Sequence, residues 1–312
     1  MFQKPPKSDK ITCFIGVFMK TIGVLSRSCG VHSGEFHADE VTACALLLHF
    51  NLIDLDKIIR TRELGRLESC DFVCDVGGEY DPKRRRFDHH QLEYKGELSS
   101  AGMIWEYLRD QKIISDIYYN YLNRTLIRGV DDIDNGRLQP IFGLCTFSSV
   151  ISAFVPAEHG VMGDSGLDDA FFEALEFARG HLARIEKKFL YMQKCKESVR
   201  GIMEQMKECL VFEKAMPWLE AFFELGGKDH PAEFIIMPSG NHWKLRGVPP
   251  SFEKQMDVRR PLPIEWAGLL QEDLRKETGI DGAIFCHKGR FISVWKTKED
   301  AIRALKMVLS KK

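Results

Sequence analysis
Read in order, the segments of this chain predict an α/β protein, with a mainly parallel-sheet domain followed by a smaller α+β domain. Two observations carry the prediction. Segments that read as strands, Lys57–Arg62 and Phe72–Val76, alternate with helically periodic segments at the spacing of parallel crossovers. The side chains best suited to chemistry, His32, His37, Asp39, Asp75, Asp88, His89 and His90, fall where predicted strands give way to loops or helices. In open parallel sheets that is where ligands bind.

Residues 1–20 set Lys4, Lys7, Lys10 and Lys20 against one acid, Asp9, with Ile11–Met19 apolar. The stretch is not Arg- or Ser-rich as transit peptides are, so it reads as a disordered extension, with a short import presequence as the competing reading. Lys20–Leu25 is the first predicted strand, and Ser26–His37 a loop. Asp39–His49 has helical spacing of Val41, Ala45 and Leu48, with Asp39 and Glu40 in the first turn, where acids favour the helix dipole. Phe72–Val76 is apolar enough for a strand buried on both faces, and Gly77-Gly78 breaks it. Ser100–Arg109 and Ile117–Val130 read as helices. Leu167–Glu208, rich in Glu, Lys and Arg, reads as a helical connector, which puts the domains at 21–209 and 210–312. In the second domain, strands are expected near Leu210–Glu213, Glu233–Pro238, Trp243–Val248, Gly282–His287 and Phe291–Trp295. Helices are expected near Pro217–Leu225, Trp266–Thr278 and Lys298–Leu309.

A chain of 312 residues has room for two cores, and 44% hydrophobic with 29% charged residues is an ordinary globular composition. The net charge of −1 provides no global attraction for a polyanion, so any nucleic acid must be held by local basic clusters. Nine cysteines show no CxxC pairing or disulfide rhythm. Cys44, Cys145 and Cys286 sit in apolar runs and read as buried free thiols, which implies a reducing compartment, cytoplasm or nucleus. No apolar run approaches the ~20 residues that span a membrane.

Imidazole mixed with carboxylate suits divalent transition metals, whereas Mg²⁺ and Ca²⁺ prefer oxygen alone. The candidates outnumber the ligands of one four-coordinate ion. Two ions sharing a carboxylate is the natural reading, and paired ions roughly 4 Å apart are common machinery for phosphate-ester hydrolysis. His32, His37 and Asp39 are assigned as ligands shared between two metals, with Asp75, at the end of a buried strand, as the bridge. Asp131 and Asp134 lie three apart, on one face of a continuing helix. One of them is expected to complete the set, with Asp131 preferred; a helix-ending turn at Asp134-Asn135-Gly136 is the alternative.

The residues Gly30-Val31-His32-Ser33-Gly34-Glu35-Phe36-His37-Ala38-Asp39-Glu40 and Phe87-Asp88-His89-His90 resemble signatures of the melanocyte-proliferating-gene family within the DHH phosphoesterase superfamily. So do Asp75-Val76-Gly77-Gly78, Ser99-Ser100-Ala101-Gly102, Asp131-Asp132-Ile133-Asp134-Asn135-Gly136, Met216-Pro217-Trp218 and Leu262-Pro263-Ile264-Glu265-Trp266. The resemblance runs from about residue 21 to 308. It implies a DHH-type catalytic domain and a metal-dependent hydrolase, 3′→5′ exonuclease activity on single-stranded RNA or short oligonucleotides, and two divalent ions, Mn²⁺ expected. It further implies that His89 ligates a metal, that His90 faces the substrate phosphate, and that Asp88 orients His89. The family's glycine pair after Phe291-Ile292 is replaced here by Ser293-Val294.

For substrate contact, Ser99 and Ser100 open a helix whose N-terminus could hold a phosphate, although capping explains them equally. Arg86 ends a basic run beside the triplet. His287 and Arg290 belong to a basic and aromatic stretch of the kind that holds single strands, and Trp266 reads as core. The rival readings are a small-molecule phosphohydrolase for a dinucleotide or pyrophosphate, and a non-catalytic metal-binding regulator. Neither a dimer nor a monomer is dictated.

Overall fold
The computed structural model describes residues 23–139 and 141–310, with the backbone alone at 159–164. The expected N-terminal extension therefore lies outside the described residues. The chain divides into two compact units between Arg184 and Ile185.

The first unit is built on strands β1 (Leu25–Val31), β2 (Ile58–Arg60), β3 (Cys70–Cys74), β4 (Tyr80–Asp81) and β5 (Arg86–Phe87), in the spatial order β2-β1-β3-β5-β4. β1 pairs parallel with β2 and β3, β3 pairs parallel with β5, and only β4 runs antiparallel. The sheet is mainly parallel, as expected. Of the expected first strand, Lys20–Leu25, residues 20–22 lie outside the described residues, and Ser26–Val31, expected to open a loop, belongs to the strand. Alternation is lost there: Cys29 and Gly30 face a buried layer on both sides, and a Cβ on Gly30 would crowd Leu67 and Cys70. β4 and β5, two residues each, are too short to leave any periodicity.

Helix α1 (Ala38–His49) is buried along almost its whole length, from Ala38 to Leu48. A helix that is apolar nearly all round belongs inside. It packs against α3 (Ser100–Asp110), α5 (Arg128–Asp134) and α6 (Phe147–Ser152), while the short α2 (Leu64–Glu68) lies against β1 and β3. α4 (Asp116–Leu122) runs into α5 through a π-helical segment, Asn123–Ile127, so helix continues from 116 to 134. The long α7 (His159–Met203) occupies the expected connector and contains the division between units.

The second unit carries a sheet ordered β6 (Cys209–Val211), β7 (Phe234–Ser239), β8 (His242–Gly247), β10 (Ile292–Trp295) and β9 (Ala283–Cys286). Only β6 and β7 pair in parallel. On β7, Phe234 and Ile236 enter one core with Trp266, Leu274 and Trp295, while Ile235 and Met237 enter another with Phe212, Trp218 and Phe222. Helices α8 (Leu219–Glu224), α9 (Gln271–Thr278) and α10 (Lys298–Ser310) complete the unit. Trp266 is core, as expected, but it sits in a separate short helical turn before α9. No helix among the described residues is long and apolar enough to cross a membrane.

Candidate metal centre
Three adjacent strands end in ligand-type side chains: β1 in His32, β3 in Asp75, and β5 in Asp88-His89-His90. α1 adds Asp39 and Glu40 from its first turn, and α5 adds Asp134. Asp75 sits with φ +60, in the left-handed region, which Asp tolerates better than most residues. Its two oxygens face different imidazoles, Oδ2 at 3.2 Å from His32 Nε2 and Oδ1 at 3.3 Å from His89 Nε2. His32 Nε2 also stands 3.1 Å from Glu40 Oε1, and His89 Nε2 stands 3.2 Å from Asp134 Oδ2 and 4.0 Å from Asp39 Oδ2. His37 has ligand atoms within reach of both groups, one with His32, Glu40 and Asp75, the other with Asp39 and Asp134.

Both Asp39 oxygens, Asp75 Oδ1 and His89 Nε2 are buried without a well-formed hydrogen bond. Burying unpaired charge costs several kcal/mol. These atoms converge on shared space at ligand distance from one another, which is the arrangement a cation satisfies. Burial, then the carboxylates of Asp75, Glu40 and Asp134, push Asp39 well above the ordinary carboxyl range; burial and Asp75 raise Asp134. Burial opposes a charge on His32, but the facing carboxylates of Asp75 and Glu40 overcome it and raise the imidazole to about 10. Burial would also raise Asp75, yet the facing imidazoles of His32 and His89 hold it below the usual range.

His90, like His37, is exposed, its side chain 63% accessible, with Nδ1 bound to Asp88 Oδ1 at 2.8 Å. Asp88 also accepts from the backbone N–H of Gly78 at 2.6 Å and of His90 at 3.1 Å. The acidic cluster borders two cavities, of about 680 and 630 Å³, which share His37, Asp75 and His90 as lining residues.

The MYG1_exonuc family model, described as an uncharacterised protein family (UPF0160), matches residues 28–309. The chain belongs to the MYG1 family. A "MYG1 protein" of Chlamydia trachomatis serovar D is 49% identical over 285 residues, spanning 91% of this chain and 97% of that one. The human "MYG1 exonuclease" is 29% identical over 330 residues, spanning 91% and 86%. Among solved structures, RecJ in complex with Mn²⁺ from Thermus thermophilus matches at 13% identity, covering 92% of this chain and 53% of that one. The TM-score of that match is 0.27.

Within this MYG1 family chain, the expected residues His32, His37, Asp39, Asp75, His89 and Asp134 come together. Asp131 does not join them. Its Oδ1 accepts from Ser99 N at 3.0 Å, Ser99 Oγ at 2.7 Å and Gly102 N at 3.0 Å, so it caps the N-terminus of α3 from another helix. A Cβ on Gly102 would overlap that carboxylate, which gives the Ser-Ser-Ala-Gly run a structural reason. Burial outweighs those hydrogen bonds and lifts Asp131 to about 6. The same latch removes Ser99 from phosphate contact, and Ser100 Oγ is spent on Phe87 O at 2.8 Å; both serines are fully buried.

Other expectations are corrected by local packing. Arg86 is buried and donates to the carbonyls of Cys70, Asp71, Arg84 and Arg85, so it buttresses β5 instead of facing a ligand. Asp88 orients His90, not His89; the partner of His89 Nδ1 is Asn135 Oδ1 at 3.2 Å. Cys145 is exposed, whereas Cys44 and Cys286 are buried free thiols as expected. His287 and Arg290 lie in the tight turn between β9 and β10, where His287 Nδ1 accepts from Gly289 N at 3.0 Å and its ring lies tilted against Phe291, the centroids 4.4 Å apart. Glu40, Asn135 and Arg62 were missed. Glu40 had a signal, because a glutamate three residues after the helix-opening His37 is capping-box spacing, and its carboxylate does accept from His37 N.

Asp131→Ala is expected to lower stability by about 2–4 kcal/mol, since it leaves buried donors unpaired. Asp134→Asn should not lower the unfolding midpoint of the metal-free protein but should weaken Mn²⁺ binding; denaturant titration and calorimetry separate the two. The raised His32 predicts a pH effect with a definite sign. In metal-free protein, its contribution to stability is full below pH 6.5 and is lost as pH rises towards about 10. Unfolding midpoints across that window should fall for wild type, and fall less for His32→Gln.

Proposed function
We propose that this MYG1 family chain is a metal-dependent phosphodiester hydrolase of the DHH type and, more narrowly, a 3′→5′ exonuclease on single-stranded RNA. The observation that carries the reading is Asp75, with one oxygen towards His32 and the other towards His89, beside the unpartnered buried carboxylate of Asp39. Such a donor set would suit two cations, with Asp75 available to both. The human relative's name, "MYG1 exonuclease", supports the nuclease class. RNA and the 3′→5′ direction rest on the motif resemblance.

His32, Glu40, Asp75 and His37 would hold one ion, and His89, Asp39, Asp134 and Asp75 the other. When bound, the pair supplies Lewis-acid activation of water and of the phosphoryl group at neutral pH. The chain's own residues do the rest. Asp88 fixes the Nδ1 side of His90, so the exposed Nε2 side is directed to the cavities and can meet phosphoryl oxygen. Asn135 fixes the His89 ring. Mixed imidazole and carboxylate favour Mn²⁺ over Mg²⁺, which demands hard oxygen ligands. Residues 210–312 are proposed to hold the strand through His287 and Arg290, with residues 21–209 as the catalytic domain.

Asp75→Asn is expected to reduce turnover on every substrate below about a tenth of wild type, because the amide cannot hold two cations close together. Protein stripped by a chelator should regain more hydrolysis of end-labelled RNA with Mn²⁺ than with Mg²⁺; better rescue by Mg²⁺ would remove the histidines from the ligand set. For the second unit, His287→Ala and Arg290→Ala should each weaken binding of a short RNA about ten- to hundredfold while sparing Mn²⁺ affinity. Wild-type binding by both variants would place strand recognition elsewhere.

A further inference from the structure
Along the carboxyl edge of the first sheet, the order β2-β1-β3-β5 sets out Arg62, His32, Asp75 and the Asp88–His90 triplet side by side. Arg62 is the cation at the open end of that row. Its neighbours in sequence and sheet are committed: Arg60 to Asp168, Arg84 to Glu79 and Glu68, Arg85 to Asp71. Among the described residues, no carboxylate lies within ion-pair distance of Arg62. Among the described residues, the one side-chain group at hydrogen-bond distance from its guanidinium is His32 Nδ1, 3.2 Å from Nη2. The side chain is exposed and lines the cavity of about 630 Å³, together with Gly78, Asp75 and His90.

We propose that Arg62 binds a phosphate of the substrate chain adjacent to the one being cleaved. The position of the His32 ring decides which phosphate. Its Nε2 faces Asp75 and Glu40, while Arg62 stands on the Nδ1 side, so the imidazole separates the guanidinium from the acidic cluster. A phosphate over the cluster is beyond that ring; the next along the backbone enters the cavity that Arg62 lines. A planar guanidinium fork matches two phosphate oxygens, and an exposed one without an acidic partner gives up no ion pair to do so. The need is physical as well. An incoming polyanion meets Asp39, Glu40, Asp75 and Asp134 together, and Arg62 places an opposing charge at the rim. The proposal rests on the phosphodiesterase reading and adds to it a preference for substrates with at least two linked phosphates.

The test uses the full chain with Mn²⁺ and two substrates, a dinucleoside monophosphate and a trinucleoside diphosphate, with wild type, Arg62→Ala and Arg62→Lys. The alanine variant should raise KM on the trinucleoside about tenfold more than on the dinucleoside, with kcat changing less than KM. Lysine should restore part of the loss, because it keeps the charge but not the fork. Binding of a phosphorothioate oligonucleotide should depend less steeply on salt in the alanine variant, by about 0.7 in logarithmic slope, the amount one single-strand phosphate contact contributes. Equal losses on both substrates would put Arg62 at the reacting phosphate or make it a mere support for His32, and no loss on either would remove the contact. If wild type cleaves neither substrate, the hydrolase reading fails first. The salt slope then still decides Arg62, and an unchanged slope overturns the assignment.

Discussion
Asp75 is held in a left-handed backbone kink between two imidazoles, and most of the first unit can be understood as the means of keeping it there. The kink turns the carboxylate back over the sheet edge as β3 ends, where β1 and β5 deliver His32 and the histidine pair on either side. Parallel pairing is what aligns those carboxyl ends; an antiparallel neighbour would deliver its opposite end. Beneath them α1 is buried with Asp39 and Glu40 in its first turn, so two acids lie at the floor of the cluster, where the helix dipole favours negative charge. The arrangement stores repulsion, since Asp39, Glu40, Asp75 and Asp134 crowd against only a few imidazoles. Cations that relieve it would bind the folded state selectively and so stabilise it.

How far the sequence discloses this differs between fold and site. The parallel sheet, the long connecting helix and the five strands of the second unit follow from apolar runs and their spacing, because burial on one or both faces leaves a pattern along the chain. β7 is an instance: Phe234, Ile235, Ile236 and Met237 alternate between two cores, so every position is apolar. β4 and β5 leave no such pattern. At two residues each they exist only because β3 offers an edge to pair with, which is a tertiary cause.

At the site, residue type was legible and residue partnership was not. Histidines and aspartates at strand ends announce a metal-type centre. Which aspartate of Asp131 and Asp134 points into it depends on the helix phase and on what else demands a carboxylate, here the uncapped N–H groups of α3. Asp88 is similar. Adjacent residues in an extended segment point to opposite sides, so the acid reaches past its neighbour His89 to His90, two residues on. Arg86 also belongs to this class, since a buried guanidinium surrounded by carbonyls reads in sequence as one more surface charge.

Phase in turn directs attention to the π-helical segment at Asn123–Ile127, between α4 and α5. One residue more than a regular helix is accommodated there, so everything beyond it sits one residue out of phase with a regular helix of the same length. Asp131 and Asp134 both lie beyond it, one serving the scaffold and the other the acidic cluster. If that segment wound as regular α-helix with the same number of residues, both carboxylates would turn by about 100°, the angle of one residue at 3.6 per turn. A change of winding at a segment that touches no ligand would thereby uncap α3 and take one acid from the cluster in the same stroke.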